Sequence, residues 1–330
     1  MDENVKLIGL FVARTFDENN LNFIHAMQNL GQKQGYKLVI FSMDTTTPVG
    51  GDSTLAEEEL CGLAEYLPLE AFIILGETIK NMDLIDRIAG IARRRQIPCF
   101  CLDREARGCY PIRHDYTSGF EEMVRHVVEE HGARCVNMLA GFEGHALSED
   151  RVMVYRKVLE ENGIAFEEER VGYGQFWEVP ARKEMERFLK SDLPMPEAIV
   201  CANDAMALVA CNVLEEAGYR VPEDVIVTGF DGVNDGKYYR PVLATCAPDY
   251  EGAVWFIFDK VQEWRATGQI RPETYLIRYF LKKNESCGCP AAGKVNRNKI
   301  IRGLADSLGD CAWHTHATVS YTHLTLPTIC

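Results

Sequence analysis

Val221-Pro-Glu-Asp-Val-Ile-Val-Thr-Gly-Phe-Asp-Gly-Val-Asn-Asp235 is the stretch on which the reading of this chain turns. Pro222 and the acidic pair Glu223 and Asp224 close a preceding helix. Val225 to Val227 is a short β-branched run, and the chain then turns through Gly229, Phe230, Asp231 and Gly232. A continuous apolar run bounded by turn signals reads as a buried strand of a parallel sheet. Loops at the carboxyl ends of such strands face the ligand crevice, which is where Asp231 falls. For an isolated Gly-Phe-Asp, satisfying turn amides would be explanation enough.

Upstream, Ala198-Ile-Val-Cys-Ala-Asn-Asp-Ala-Met-Ala207 is a second buried strand running into a helix that ends at Gly218. Residues 198 to 232 together closely resemble the ligand-binding core of the lactose-repressor family and its periplasmic sugar-binding relatives. The shared pattern is an Ala-Asn-Asp turn, a helix, Val-Pro-x-Asp and then Gly-Phe-Asp.

Composition sets the outer bounds. A chain of 330 residues, 47% hydrophobic and 25% charged, is of ordinary globular composition and can fill about two domains. A net charge of −14 argues against a large nucleic-acid surface, which needs clustered Lys and Arg. The start, Met1-Asp-Glu-Asn-Val-Lys6, has no basic and apolar leader pattern, and no apolar run reaches the ~18 residues of a membrane span. The 12 cysteines, several inside apolar strands (Cys99, Cys101, Cys135, Cys201), read as reduced thiols of a cytoplasmic protein.

In chain order, strands at 6–13, 37–42, 71–75 and 97–103 alternate with helices at about 21–31, 55–66 and 82–95. The first helix carries Phe23, Ile24, Met27 and Leu30 on one face. Residues 45–53 read as a surface loop. Strict alternation is the signature of a doubly wound parallel sheet. The first turn, Arg14-Thr-Phe-Asp17, lacks a Gly-x-Gly-x-x-Gly, so a dinucleotide fold is disfavoured and no cofactor is expected. Arg93-Arg-Arg95 meets the negative end of its helix dipole as a solvated helix end.

Arg113-His-Asp-Tyr-Thr-Ser-Gly119 opens a second α/β unit, with Gly141-Phe-Glu-Gly144 and Ser148-Glu-Asp-Arg151 following. This succession also resembles the repressor family, with two departures. Tyr116 stands where that family usually has Asn, and the first turn lacks Asn-Pro-Phe. Arg240-Pro-Val-Leu-Ala-Thr245, a helix at 250–267 and a strand at 274–282 extend the likeness over residues 5 to 285.

The resemblance implies an α/β fold of two doubly wound lobes around a cleft, with three crossings. The first lobe would be 5–107 plus 247–270, and the second 108–243 plus 272–286. It further implies a small polar effector, a sugar or derivative, touched by Asp17, Asp103, Arg151, Asn203 and Asp231, with Phe16 and Trp177 as aromatic walls. Each has a plainer alternative. Arg151 could pair with Asp150 or Glu149 at the surface, Trp177 could be a packing residue, and Asn203 could cap the helix beside it.

Cys287-Gly-Cys289 offers two thiols, too few for a closed zinc site, and no Cys or His pair in the sequence is spaced to complete one; His314 and His316 add ligands in number only. The expectation is no metal and no catalytic residue, the serine-hydrolase and zinc-protease motifs being absent. Ser286-Cys-Gly-Cys-Pro290 resembles a junction after sensor domains that precede an output domain, either a diguanylate cyclase (Gly-Gly-Asp-Glu-Phe) or a helix-turn-helix. Residues 287–318 then read as a linker or signalling helix. Residues 319–330 look like translated adapter read-through, with a native protein continuing past them. The leading expectation is a cytoplasmic regulatory sensor, compatible with a homodimer and touching neither membrane nor, by itself, nucleic acid. A transport-linked solute receptor and a cleft enzyme acting on sugars are the alternatives.

Overall fold

Buried β-branched and aromatic runs set the strands of this protein, and amphipathic segments between them set the helices. The computed structural model describes residues 6–43, 52–271 and 273–291. The loop at 44–51, the rest of the expected linker from 292 and the tail at 319–330 lie outside the described residues. The first part runs β1 (Lys6–Ala13), α1 (Glu18–Lys33), β2 (Tyr36–Met43), α2 (Asp52–Gly62), β3 (Leu69–Leu75), α3 (Met82–Arg94), β4 (Cys99–Leu102) and β5 (Tyr110–His114). The chain continues through α4 (Tyr116–Arg125), β6 (Val136–Ala140), α5 (Ala146–Glu161), β7 (Val171–Tyr173), α6 (Glu178–Lys190), β8 (Ala198–Cys201), α7 (Asp204–Glu216), β9 (Ile226–Phe230), α8 (Asn234–Tyr238) and β10 (Ala244–Pro248). It ends in α9 (Tyr250–Thr267), β11 (Tyr275–Ile277) and β12 (Tyr279–Lys282).

Two six-stranded sheets result, ordered β11-β5-β4-β3-β1-β2 and β12-β10-β9-β8-β6-β7. Every pairing is parallel except β10 with β12. Alternate residues of a strand point to opposite faces, so helices on both sides bury the whole strand. In the first sheet Leu10, Ile73 and Phe100 pack under α1 and α9, while Phe11, Phe72 and Ile74 pack under α3. In the second, Met138, Val200 and Phe230 meet α4 and α5, and Leu139, Ile199 and Val227 meet α6 and α7. The α1 face read from the sequence is the buried one.

The strand read as Val225 to Val227 runs on to Phe230, and the turn begins only at Asp231. Gly229 therefore lies inside β9, where a Cβ would collide with the Asp204 carboxylate and come within 3.1 Å of the Ala207 Cβ. The chain passes between the sheets near residues 115, 249 and 278, later than the expected 107, 245 and 271. Tyr110-Pro-Ile-Arg-His114, expected at the start of the second lobe, is instead β5 of the first sheet, with Ile112 fully buried. The run at 274–282 is likewise two strands, β11 and β12, divided between the sheets at Arg278. Among the described residues no helix is long and apolar enough to cross a membrane.

Gly229→Ala is expected to destabilise the fold by about 1–3 kcal/mol through overpacking. Urea unfolding would show a lower midpoint at unchanged slope; an unchanged midpoint would mean that α7 can move away from β9.

Candidate ligand cleft

The carboxyl ends of β1, β3 and β4 face the carboxyl end of β9 and the amino-terminal half of α5 across a cavity of about 370 Å³. That is within the usual range for small-molecule sites. Four of the residues singled out from the sequence line it: Asp17, Asp103, Arg151 and Asp231. Phe16, Trp177 and Asn203 are not in its lining.

Phe16 is 88% exposed and Trp177 65% exposed. The aromatic wall is Phe176 instead. Gln175 and Phe176 both adopt left-handed backbone (φ 54° and 62°), which turns the loop after β7. Trp177 becomes the extended residue preceding α6. Gly141 makes room for the Phe176 ring, since a Cβ there would strike it. Asn203 caps α7, accepting from Met206 N at 2.9 Å, and donates to the Phe176 carbonyl at 3.1 Å. It holds the wall without facing the cavity.

Arg151 comes from α5 and is 5% exposed. Its guanidinium lies 4.6 Å from the Phe230 ring centre, 5.5 Å from Tyr116 and 5.6 Å from Phe176. Nη1 donates to the Ala202 carbonyl at 2.9 Å, and Nε has no partner among the described residues. This is a buried cation held by ring faces, not a surface ion pair with Asp150 or Glu149. Asp17 is exposed and pairs with Arg14 at 3.0 Å.

Asp103, with left-handed backbone (φ 53°), accepts from His114 N at 2.9 Å and meets its Nδ1 at 2.5 Å. Nδ1 is thereby engaged with the carboxylate, and Nε2 has no partner among the described residues. His114 stacks on Tyr116 (5.1 Å between centres) and meets Tyr250 and Tyr279 at 5.8 and 5.9 Å. All four rings line the cavity. Burial pushes the pKa of all three phenols up, so they face it as neutral groups. Sequence reading missed His114, Tyr250 and Tyr279. Only the Asn-to-Tyr departure at Tyr116 gave a signal.

Asp231 sits at the tip of β9 at φ 113°. Burial, then the neighbouring Asp204 carboxylate, push its pKa up to about 8 against the opposing pull of Arg151. Asp204, fully buried, is itself raised to about 6 by burial. Asn234 N donates to Glu18 across the cleft, and Tyr116 OH donates to Glu77 at 3.3 Å.

Away from the cleft, the fold brings His126 and His131 to Cys287 and Cys289. The expectation that no pair completes a set with the two thiols is thereby corrected. His314 and His316 lie outside the described residues.

Residues 124–267 match the family model for a periplasmic binding protein-like domain. Over that stretch the chain is similar to domains of that kind. Over 243 residues it is 25% identical to the repressor PurR of Aliivibrio salmonicida, covering 73% of this chain and 69% of that protein. The domain's fold is that of the Escherichia coli repressor AscG (TM-score 0.66, 21% identity, 86% and 99% of the two chains). It is equally that of a LacI family regulator from Enterococcus faecium with bound ribose (TM-score 0.64, 19% identity, 88% and 100%). These relatives are transcriptional regulators rather than enzymes.

Because Asp231 is raised, the folded domain keeps a proton there that the unfolded chain releases above about pH 4. Its stabilising contribution is complete below that value and is lost as pH rises towards 8. Asp231→Asn should therefore raise the melting temperature of the ligand-free protein more at pH 8.5 than at pH 5. Equal gains at both would place this carboxylate in a solvated setting.

Proposed function

We propose that this chain is the ligand-sensing part of a cytoplasmic regulatory protein, holding a sugar or sugar derivative between its lobes. The observation that carries the reading is the donor set around one cavity. Asp17 and Asp231 can accept from hydroxyls, or donate where protonated, and Arg151 offers a planar fork. The Nε2 of His114 and Nε of Arg151, both buried without partners among the described residues, are groups that a bound polyol would satisfy. Tyr116, Phe176, Tyr250 and Tyr279 offer faces to the apolar C–H side of a sugar ring. Ribose in a regulator of the same fold supports the ligand class. Relatives that are repressors support regulation over turnover.

The test is a melting scan with pentoses, hexoses, disaccharides, uronates and nucleosides. A ligand at 100 times its Kd should add about 2.7 kcal/mol, several degrees in such a scan. Asp231→Ala and Arg151→Lys should each abolish the shift while the protein stays folded. No shift from any of these compounds, or binding that survives both changes, would remove the cleft as the sensor site. Product formation would favour a cleft enzyme acting on sugars.

Ligand held by both lobes favours the closed population. Small-angle scattering should therefore give a smaller radius of gyration at saturation. An unchanged radius would argue for a rigid cleft. The resemblance of Ser286 to Pro290 to sensor–output junctions supports relay of that closure to a diguanylate cyclase or DNA-binding domain. The sequence of the gene would show whether either accompanies this sensor.

A further inference from the structure

We infer that His126, His131, Cys287 and Cys289 form a closed four-ligand site for zinc on the second lobe. The ligating atoms all lie within 4.8 Å of one another. His126 Nε2 is 3.1 Å from His131 Nε2 and 3.4 Å from Cys287 Sγ. Cys289 Sγ is 3.5 Å from His131 Nε2 and 3.8 Å from His126 Nε2. Around a tetrahedral zinc, with Zn–N about 2.0–2.1 Å and Zn–S about 2.3 Å, neighbouring ligand atoms lie roughly 3.3–3.8 Å apart. The four distances above lie close to the edges of such a tetrahedron, and the remaining two are within 4.8 Å.

Local backbone explains how the ligands meet. Residues five apart on an α-helix point to different sides. Here the helix ends in a π turn over His126–Glu130, closed by His131 N to His126 O at 3.2 Å, which brings the two imidazoles together edge to face, 4.6 Å between centres. Such π turns often mark functional sites. On the other strand of the site, Gly288 is left-handed (φ 86°), so the chain reverses between the two cysteines. The segment leading into them is pinned to the second sheet: Ser286 Oγ donates to Val227 O at 2.7 Å and accepts from Ala244 N at 2.8 Å. Cys287 is fully buried and His126 nearly so, at 2% exposed, while His131 and Cys289 lie nearer the surface and give a metal its way in.

The surroundings suit a metal as well. Glu130 Oε2 lies 3.1 Å from His126 Nδ1 and is itself held by Lys283 at 2.6 Å. A carboxylate behind a ligating histidine fixes the ring and strengthens the ligand. Two thiolates with two imidazoles select zinc over hard cations such as magnesium or calcium. With all four positions filled by protein, the site is structural and leaves none open for a reacting water.

The experiment uses the full chain purified under reducing conditions and exchanged into metal-free buffer. Elemental analysis should find one zinc per chain, and replacement by cobalt(II) should give the visible bands of a tetrahedral thiolate site. His131→Gln and Cys289→Ser, at the two accessible ligands, should lose the metal while keeping the far-ultraviolet dichroism of the parent. Glu130→Gln should retain zinc with affinity lowered roughly 10- to 100-fold. A metal-free protein that takes up no cobalt would overturn the assignment. So would cobalt bands that survive both His131→Gln and Cys289→Ser. None of these readouts depends on what the cleft binds.

Discussion

A buried carboxylate holds the loop on which the cleft depends. Asp204, at the start of α7 and fully buried, accepts from Val233 N at 2.8 Å. It can approach that closely only because Gly229 has no side chain. The loop after β9 is thereby fixed, and Asp231 at its tip is held in a left-handed conformation that few side chains adopt freely. The same carboxylate adds to the burial that keeps Asp231 protonated to about pH 8. Packing and loop geometry thus follow from a single contact, and the same carboxylate reinforces the charge state that burial sets at Asp231. An acid kept neutral in this way both donates and accepts hydrogen bonds, which suits a hydroxyl-rich partner.

The floor of the cavity and the joints between the lobes are the same residues. The three crossings lie at about 115, 249 and 278, and Tyr116, Tyr250 and Tyr279 each stand immediately past one of them. His114 touches all three rings. Any rotation of one lobe against the other must be taken up at those crossings, and so must move these rings against one another. A ligand seated on them is therefore in direct contact with the moving parts. This is a shorter route from occupancy to shape than a relay through either core.

Much of this was legible in the sequence. Continuous apolar runs set apart by Gly and Pro show the strands, and the Gly-Phe-Asp and Ser-x-x-Arg segments lead to Asp231 and Arg151. What stayed hidden depends on contacts between distant segments or on unusual backbone. His114, Tyr250 and Tyr279 are widely separated along the chain and meet only because the chain crosses three times. Phe176 rather than Trp177 forms the wall because two successive residues are left-handed, which their side chains do not advertise. β5 reads as part of the second lobe because only its pairing shows which sheet it joins, and the run at 274–282 divides at Arg278, a single arginine between two apolar triplets. His126 and His131 fall on different sides of a regular helix, so helical periodicity separates what the π turn joins.

The last of these places has a mechanical consequence. β12 begins at Tyr279, on the cavity floor, and pairs antiparallel with β10 from Tyr279↔Pro248 to Lys282↔Thr245. Beyond it, Asn284 donates to Leu243 O at 2.9 Å and Ser286 N to Val242 O at 2.9 Å, so the chain stays fastened to the second sheet as far as Cys287. A four-ligand metal would extend that fastening to Cys289 and tie it to α4 through His126, and α4 itself starts at the first crossing. The segment leaving the second lobe would then be joined rigidly to two of the three joints. Without the cross-link, that segment hangs by backbone and side-chain hydrogen bonds, each worth about 1 kcal/mol net, and motion at the joints could dissipate there. With it, a displacement of Tyr279 or Tyr116 is delivered to residue 289 as a movement of the lobe as a whole.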